Sequence, residues 1–286
     1  SKKILFTGDS GNSPTPLLKD TEKIKGVDYV VMDSVYGDRN HESKEERDAK
    51  FKRILKEGIA RGGTIVIPAF SLERTQVILY EINNMVEEKQ IPSVPVFLDS
   101  PLALKVTDIY RHTSKYFNQG VQKEIKGGDD IFNFPKLRIV KDSNESKSLL
   151  AEPNPKIIIA GSGMSAGGRV VHHEVNYLPD PKSTILLMGY QAIGTLGRTI
   201  QEAPAEVVIQ GVRIPVRARI EMISGYSSHK DSEHLLEMIA DTADTVKKVF
   251  VVMGEPKASL FLVQRLRDYL DVDALYPERG KPYLLD

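Results

Sequence analysis

Short apolar runs broken by Gly, Pro, Asn and Asp set the rhythm of this chain. Ile4-Leu5-Phe6 runs into Thr7-Gly8-Asp9 and a turn-rich stretch, which predicts a buried strand with an acid held at its tip. Residues 26–33 predict a second buried strand, ending on Asp33. Ser43 and Glu46 then form a capping box, and Phe51, Ile54, Leu55 and Ile59 recur at helical spacing until Gly62-Gly63 stops the helix. A strand over 64–67 closes at Pro68, and a helix beginning near Ser71 carries Ile78, Ile82 and Met85 on one face. The next strand, 94–98, ends in Asp99-Ser100-Pro101, where Pro suits the first helical position. Residues 113–153 are polar and irregular and read as helix fragments and loops over a sheet. A strand over 156–160 leads into Gly161-Ser162-Gly163-Met164-Ser165-Ala166-Gly167-Gly168 and a helix through His172 and His173, and 184–188 is strand again. Beyond residue 205 the pattern changes: 207–209 and 214–223 read as successive strands of another sheet. Helix 231–242, strand 248–252 and a helix over 257–270 follow, the last with Leu262, Val263, Leu266, Tyr269 and Leu270 on a core-facing stripe.

Strands alternating with helices predict an α/β fold whose sheet is mostly parallel and covered on both faces. At 286 residues the chain accommodates one large domain or two of ordinary size. Its 41% hydrophobic and 27% charged residues are ordinary for a globular protein. A formal net charge of zero excludes binding of nucleic acid through overall charge but leaves room for a local basic channel. There is no cysteine, so disulfides and thiolate zinc sites are excluded and any metal falls to His, Asp or Glu. No apolar stretch approaches the roughly 20 residues that span a bilayer, and Ser1-Lys2-Lys3 leads into no signal-type region. No membrane partner is expected, and the cytoplasm is the default location.

Four stretches carry candidate chemistry. The glycine-rich run 161–168 follows a strand and opens a helix, and Gly161-x-Gly163-x-x-Ala166 fits a loose dinucleotide fingerprint. The next strand ends in Gly189-Tyr190-Gln191 without the acid that fingerprint needs. What remains open is a phosphate seat at a helix N-terminus or a tight strand-to-helix turn. His172 and His173 point about 100° apart on a helix and cannot chelate one metal together, which favours a structural role. His229, within Ser224-Gly225-Tyr226-Ser227-Ser228-His229-Lys230-Asp231-Ser232, sits in a loop just before a helix cap, where ligation or acid–base work competes with a structural role. His41, His112 and His234 lie in polar surroundings and rank below it. Met253-Gly254-Glu255-Pro256 ends a strand and opens a helix; Met253 reads as core. Asp9, Asp33 and one loop His make an oxygen/nitrogen set suited to a Zn, Mn or Mg centre. Two acids and one His, however, cannot hold two metals.

Taken together these stretches resemble the β-CASP branch of the metallo-β-lactamase-fold nucleases, over essentially the whole chain and in the family's order. Thr7-Gly8-Asp9 resembles motif 4, whose Asp bridges two zinc ions. Asp33-Ser34-Val35-Tyr36-Gly37-Asp38-Arg39 resembles motif A, whose acid orients a catalytic His, and Ser227-Ser228-His229 resembles motif B, which supplies that His. Pro68-Ala69-Phe70-Ser71 with Arg74, Asp99-Ser100-Pro101, Gly161-Ser162-Gly163-Met164 and Gly194-Thr195-Leu196-Gly197-Arg198 match recurrent β-CASP stretches. The resemblance implies the end of a metallo-β-lactamase segment over 1–39, a three-layer β-CASP domain over 40–200, and a returning segment of the αββα lactamase fold over 201–286. It also implies hydrolysis of RNA phosphodiester bonds with two zinc ions. Asp9 would be a metal ligand, Asp33 and His229 would be catalytic, and Ser71, Arg74, Gly161, Ser162, Gly163 and Arg198 would contact phosphate or RNA.

Two departures bear on activity. The His-x-His-x-Asp-His motif and the isolated motif 3 His are absent, so the chain reads as the C-terminal part of a longer protein, lacking the N-terminal lactamase part. Met253 stands where motif C commonly supplies a His, and a thioether is a poor ligand for zinc among oxygens. The chain alone is therefore expected neither to bind two zinc ions nor to cleave RNA. The expected partners are RNA and the missing lactamase part, with a homodimer as a further candidate. A non-catalytic RNA-binding or scaffolding β-CASP protein is the alternative, and a nucleotide binder built on the glycine run a third.

Overall fold

The computed structural model describes residues 1–285. They divide into two compact units: a larger one of Pro16–Lys19 and Glu42–Tyr226, and a smaller one of Ser1–Thr15, Asp20–His41 and the residues from Ser227 on.

In the larger unit six strands form one parallel sheet: β3 (Thr64–Pro68), β4 (Val96–Asp99), β5 (Leu137–Ile139), β6 (Lys156–Ala160), β7 (Thr184–Met188) and β10 (Arg219–Ile223), in the order β10-β7-β3-β6-β4-β5. Alternate side chains serve opposite faces. Ile65, Ile67, Leu98, Ile157, Ile159, Leu186 and Met188 join one core with helices α1 (Lys44–Ala60), α2 (Arg74–Glu87), α3 (Pro101–Arg111) and α4 (Gln119–Lys126). Val66, Phe97, Ile158, Ala160, Ile185 and Leu187 join a second with α6 (Arg169–Tyr177), α7 (Leu196–Gln201) and the antiparallel hairpin β8 (Glu206–Ile209)–β9 (Val212–Pro215). The result is a three-layer α/β unit. A strand buried on both faces must be apolar throughout, which is why the central strands read as unbroken hydrophobic runs.

In the smaller unit four parallel strands run in the order β1-β2-β11-β12: β1 (Ile4–Phe6), β2 (Tyr29–Asp33), β11 (Lys248–Val252) and β12 (Ala274–Leu275). Val30, Met32, Val249 and Val251 pack on Leu235 and Ile239 of α8 (Ser232–Ala240) and Leu262 and Leu266 of α9 (Pro256–Leu270). No helix among the described residues is long and apolar enough to cross a membrane.

Local signals perform as the sequence predicts at several ends. Ser43 and Glu46 make the reciprocal capping box, and Ser100 caps α3 with Pro101 at its first position. Four expectations are corrected. β1 is not a buried strand: it is an edge strand in which Leu5 meets the core while Ile4 and Phe6, on the opposite face, are exposed. The stretch 113–153 contains the edge strand β5 and the short α5 (Ser143–Ser148), as well as α4. Residues 219–223 join the six-stranded sheet beside β7 instead of forming another sheet with 207–209. Met253 and Tyr269 are not core; both are about 70% exposed, Met253 at a left-handed φ of 71° where the chain leaves β11, and Tyr269 under the Arg265 guanidinium.

Candidate functional site

A parallel sheet gathers the loops that follow its strands along one edge, and ligands of α/β proteins bind there. In the smaller unit β2 delivers Asp33 to that edge, fully buried. Its Oδ1 accepts from the Val35 amide at 2.8 Å, and its own amide donates to Thr7 Oγ1 at 3.2 Å, so the carboxylate has a fixed position. Its Oδ2 lies 3.2 Å from Nδ1 of His229. A carboxylate can only accept, so Nδ1 of His229 carries a proton and donates to it. The His229 amide also donates to Ser227 Oγ, at 3.3 Å. Its ring keeps 17% of its surface in solvent, and Asp9 Oδ1, on a carboxylate more than half exposed, stands 3.7 Å from Nδ1. An imidazole oriented by a buried carboxylate and partly reached by solvent has the geometry of an acid–base group.

The donors do not amount to a metal site. Among the described residues no group of three or more His, Asp or Glu side chains is arranged to hold an ion. Met253 turns its thioether to solvent, and Gly254 beside it is wedged against Ser34, where a Cβ would come within 2.4 Å of the Ser34 carbonyl oxygen.

In the larger unit the loops after β3, β4 and β6 border an open cavity of about 280 Å³ lined by Ser71, Asp99, Ser100, Gly161, Ser162, Gly168 and Arg169, among others. Two helices start on it. α3 begins at Pro101 behind Ser100, and α6 begins at Arg169 behind Gly168, which offers no side-chain cap, while the Val170 amide donates to the Gly161 carbonyl at 3.1 Å. The Ser71 and Ser100 hydroxyls are 3.2 Å apart. Gly168 adopts φ 79°, and a Cβ there would lie 2.6 Å from the Gly161 carbonyl oxygen, so the turn closes only on glycine. Helix N-termini present amides and the positive end of the helix dipole, which suits an anion.

Below the cavity, Asp99 at the end of β4 is inaccessible to solvent. Its carboxylate accepts from Ser146 Oγ at 2.5 Å, from Arg169 Nη1 at 2.6 Å and from His173 Nε2 at 2.7 Å. Burial pushes the Asp99 carboxyl up, but the bonds from His173, Ser146 and Arg169 outweigh it and hold it below the ordinary value. Arg169 also donates to the Val140 and Lys141 carbonyls. The opposite case lies next door: Glu174 is buried with one hydroxyl partner, Ser165, and burial pushes its carboxyl up to about 7.

Of the residues singled out from the sequence, Asp9, Asp33 and His229 come together in the smaller unit, while Ser71, Gly161 and Ser162 line the cavity of the larger. Gly163 lies beneath the Phe70 ring, and its carbonyl accepts from Gln191 Nε2 at 3.1 Å. Arg74 is buried and donates to the Met188 carbonyl at 2.6 Å; Arg198 donates to the Gln191 carbonyl at 3.2 Å. Both arginines brace loops at this edge. Sequence reasoning did not single out Arg169 or the hydroxyl of Ser100. The available signals were a basic residue directly after the double glycine and a Ser directly before Pro101.

Comparison with known families agrees with this geometry. A Beta-Casp domain model matches residues 75–200, and a model described as Zn-dependent metallo-hydrolase RNA specificity domain matches residues 213–277. Residues 75–200 are thus similar to a β-CASP domain. It is 34% identical over 261 residues to Ribonuclease TTHA0252 of Thermus thermophilus, covering 91% of this chain and 59% of that protein. It is 32% identical over 284 residues to an RNase J-like protein of Methanocaldococcus jannaschii, covering 98% and 64%. It is 29% identical over 279 residues to the transcription termination factor FttA of Methanosarcina mazei, covering 94% and 44%. The chain thus spans between 44% and 64% of the length of these three relatives.

Proposed function

We propose that this chain is the RNA-holding and acid–base portion of a metal-dependent ribonuclease that hydrolyses phosphodiester bonds. The observation that carries the reading is the cavity where α3 and α6 both begin beside the Ser71 and Ser100 hydroxyls, a seat shaped for a backbone phosphate. Exposed Phe70 and Leu72 flank Ser71, and exposed Leu102 lines the cavity itself, giving bases an apolar surface beside the phosphate. The relatives named ribonuclease and RNase J-like support RNA as substrate. His229 serves as the acid–base group and Asp33 orients it. Zinc is the metal that the second family description names, and Asp9 is this chain's candidate ligand for it. In this reading the chain by itself neither binds two zinc ions nor cleaves RNA.

Fluorescence anisotropy with a short single-stranded RNA tests this reading. Salt-dependent binding that Ser71→Ala weakens about tenfold, the scale of one hydrogen bond to a charged group, supports it. Absence of binding, or affinity indifferent to Ser71, contradicts it. The exposed Met253 at the motif C position favours a second reading, a non-catalytic RNA-binding β-CASP protein. A full-length polypeptide that binds RNA with zinc present and leaves it intact supports that reading instead.

A further inference from the structure

We propose that His41 is a positioning residue for His229, an inference that rests on the acid–base reading of His229. His41 ends the segment that begins at Asp33, and that segment is laced to the His229 loop along its length. Tyr36 makes a parallel bridge with Asp231. The Ser232 amide donates to the Arg39 carbonyl at 3.1 Å, the Ser232 hydroxyl to the Gly37 carbonyl at 2.7 Å, and the Glu233 amide to Asn40 Oδ1 at 3.2 Å.

At the end of this lacing, Nε2 of His41 lies 3.0 Å from the carbonyl oxygen of His229. A carbonyl only accepts, so Nε2 of His41 donates, which fixes its tautomer. The His41 backbone is held as well. Its amide donates to Asp231 Oδ2 at 3.1 Å, while Asp231 Oδ1 accepts from the amide and Nδ1 of His234 at 3.0 and 2.7 Å. The Tyr36 ring abuts the His41 imidazole edge-on, with centroids 4.3 Å apart.

His229 is therefore gripped at three points: its ring by Asp33, its amide by Ser227 and its carbonyl by His41. The carbonyl grip matters because rotation of the peptide after residue 229 swings the Cα–Cβ bond and carries the ring away from Asp33. Displacement of a reacting group by about 1 Å can cost on the order of 100-fold in rate, so the backbone grip and the ring grip serve one purpose.

The test is the lifetime of the His229 Nδ1 proton, read by nitrogen-15 NMR together with the ring tautomer, in wild type, His41→Ala and His41→Gln. In wild type a single Nδ1-protonated tautomer with a protected proton is expected. His41→Ala is expected to shorten the proton lifetime about tenfold and to mix the tautomers, the scale of losing one hydrogen bond. His41→Gln, whose amide can donate to the same carbonyl, restores both and keeps the test valid where the Ala variant unfolds. An unchanged lifetime in folded His41→Ala, or no recovery in folded His41→Gln, overturns the proposal. This readout involves no RNA. Cleavage by the full-length polypeptide that survives His229→Ala would remove the acid–base reading of His229 while the NMR result stood on its own.

Discussion

Two buried aspartates stand at the carboxyl ends of parallel strands, and each meets a histidine from far along the chain. Asp33 pairs with His229 across 196 residues at 3.2 Å, and Asp99 pairs with His173 across 74 residues at 2.7 Å. The pair types are identical and the surroundings are not. Asp99 also takes a guanidinium and a hydroxyl, and both members of its pair are sealed from solvent. Asp33 takes one backbone amide besides His229, whose ring reaches solvent and an exposed second carboxylate. Burial with many partners makes a staple for the loops around the cavity. Partial exposure beside one orienting carboxylate keeps the His229 ring within reach of solvent.

The contrast breaks most visibly at Asp99. Asp99→Ala strips the acceptor from buried His173 and the counter-charge from half-buried Arg169, and is expected to destabilise the larger unit by about 3–5 kcal/mol in denaturant titration. A loss under 1 kcal/mol would mean that the network contributes little to stability.

Glu174 sharpens the comparison, being a buried carboxyl on the same helix with no cation. Its folded pKa of about 7 lies above the value near 4.5 of the unfolded chain, so between those values the folded state keeps a proton that the unfolded state has released. Stability should fall as pH rises from about 4.5 to about 7, by up to about 3 kcal/mol from this group. Glu174→Gln should remove that share of the slope. Glu81, also pushed up to about 7 by burial, should keep a slope of its own. A Gln variant with the wild-type pH profile would contradict the assignment.

The smallest effect is expected at His229, set directly against His173. His173→Ala opens a buried void beneath the cavity and should cost about 2–4 kcal/mol, whereas His229→Ala, at a partly exposed ring, should cost about 1 kcal/mol. Equal losses would erase the distinction.

Much of this architecture was legible in the sequence, for physical reasons. Central strands are apolar throughout because both faces are covered, and caps such as Ser43 and Ser100 act within one helical turn. The family resemblance pointed to Asp33 and His229 as a pair. Edge elements were not legible: β5 has three residues, one of them Arg138, and β1 offers only Leu5 to the core. Burial of Met253 was misjudged because an apolar run alone does not reveal where its strand stops. The Asp99–His173–Arg169 network stayed hidden because side-chain pairing across 74 residues leaves no local pattern. His41 ranked low for the same reason, its partner lying 188 residues away.

The division of labour between the two pairs can be measured in one experiment, the rate at which diethyl pyrocarbonate modifies each histidine of the folded chain, followed by mass spectrometry. The reagent must reach the imidazole, which is 17% exposed in His229 and sealed in His173. His229 is expected to react in the native state, while His173 reacts only once the larger unit unfolds. Native-state modification of His173 at the rate of His229 would contradict the assignment of one pair to chemistry and the other to structure.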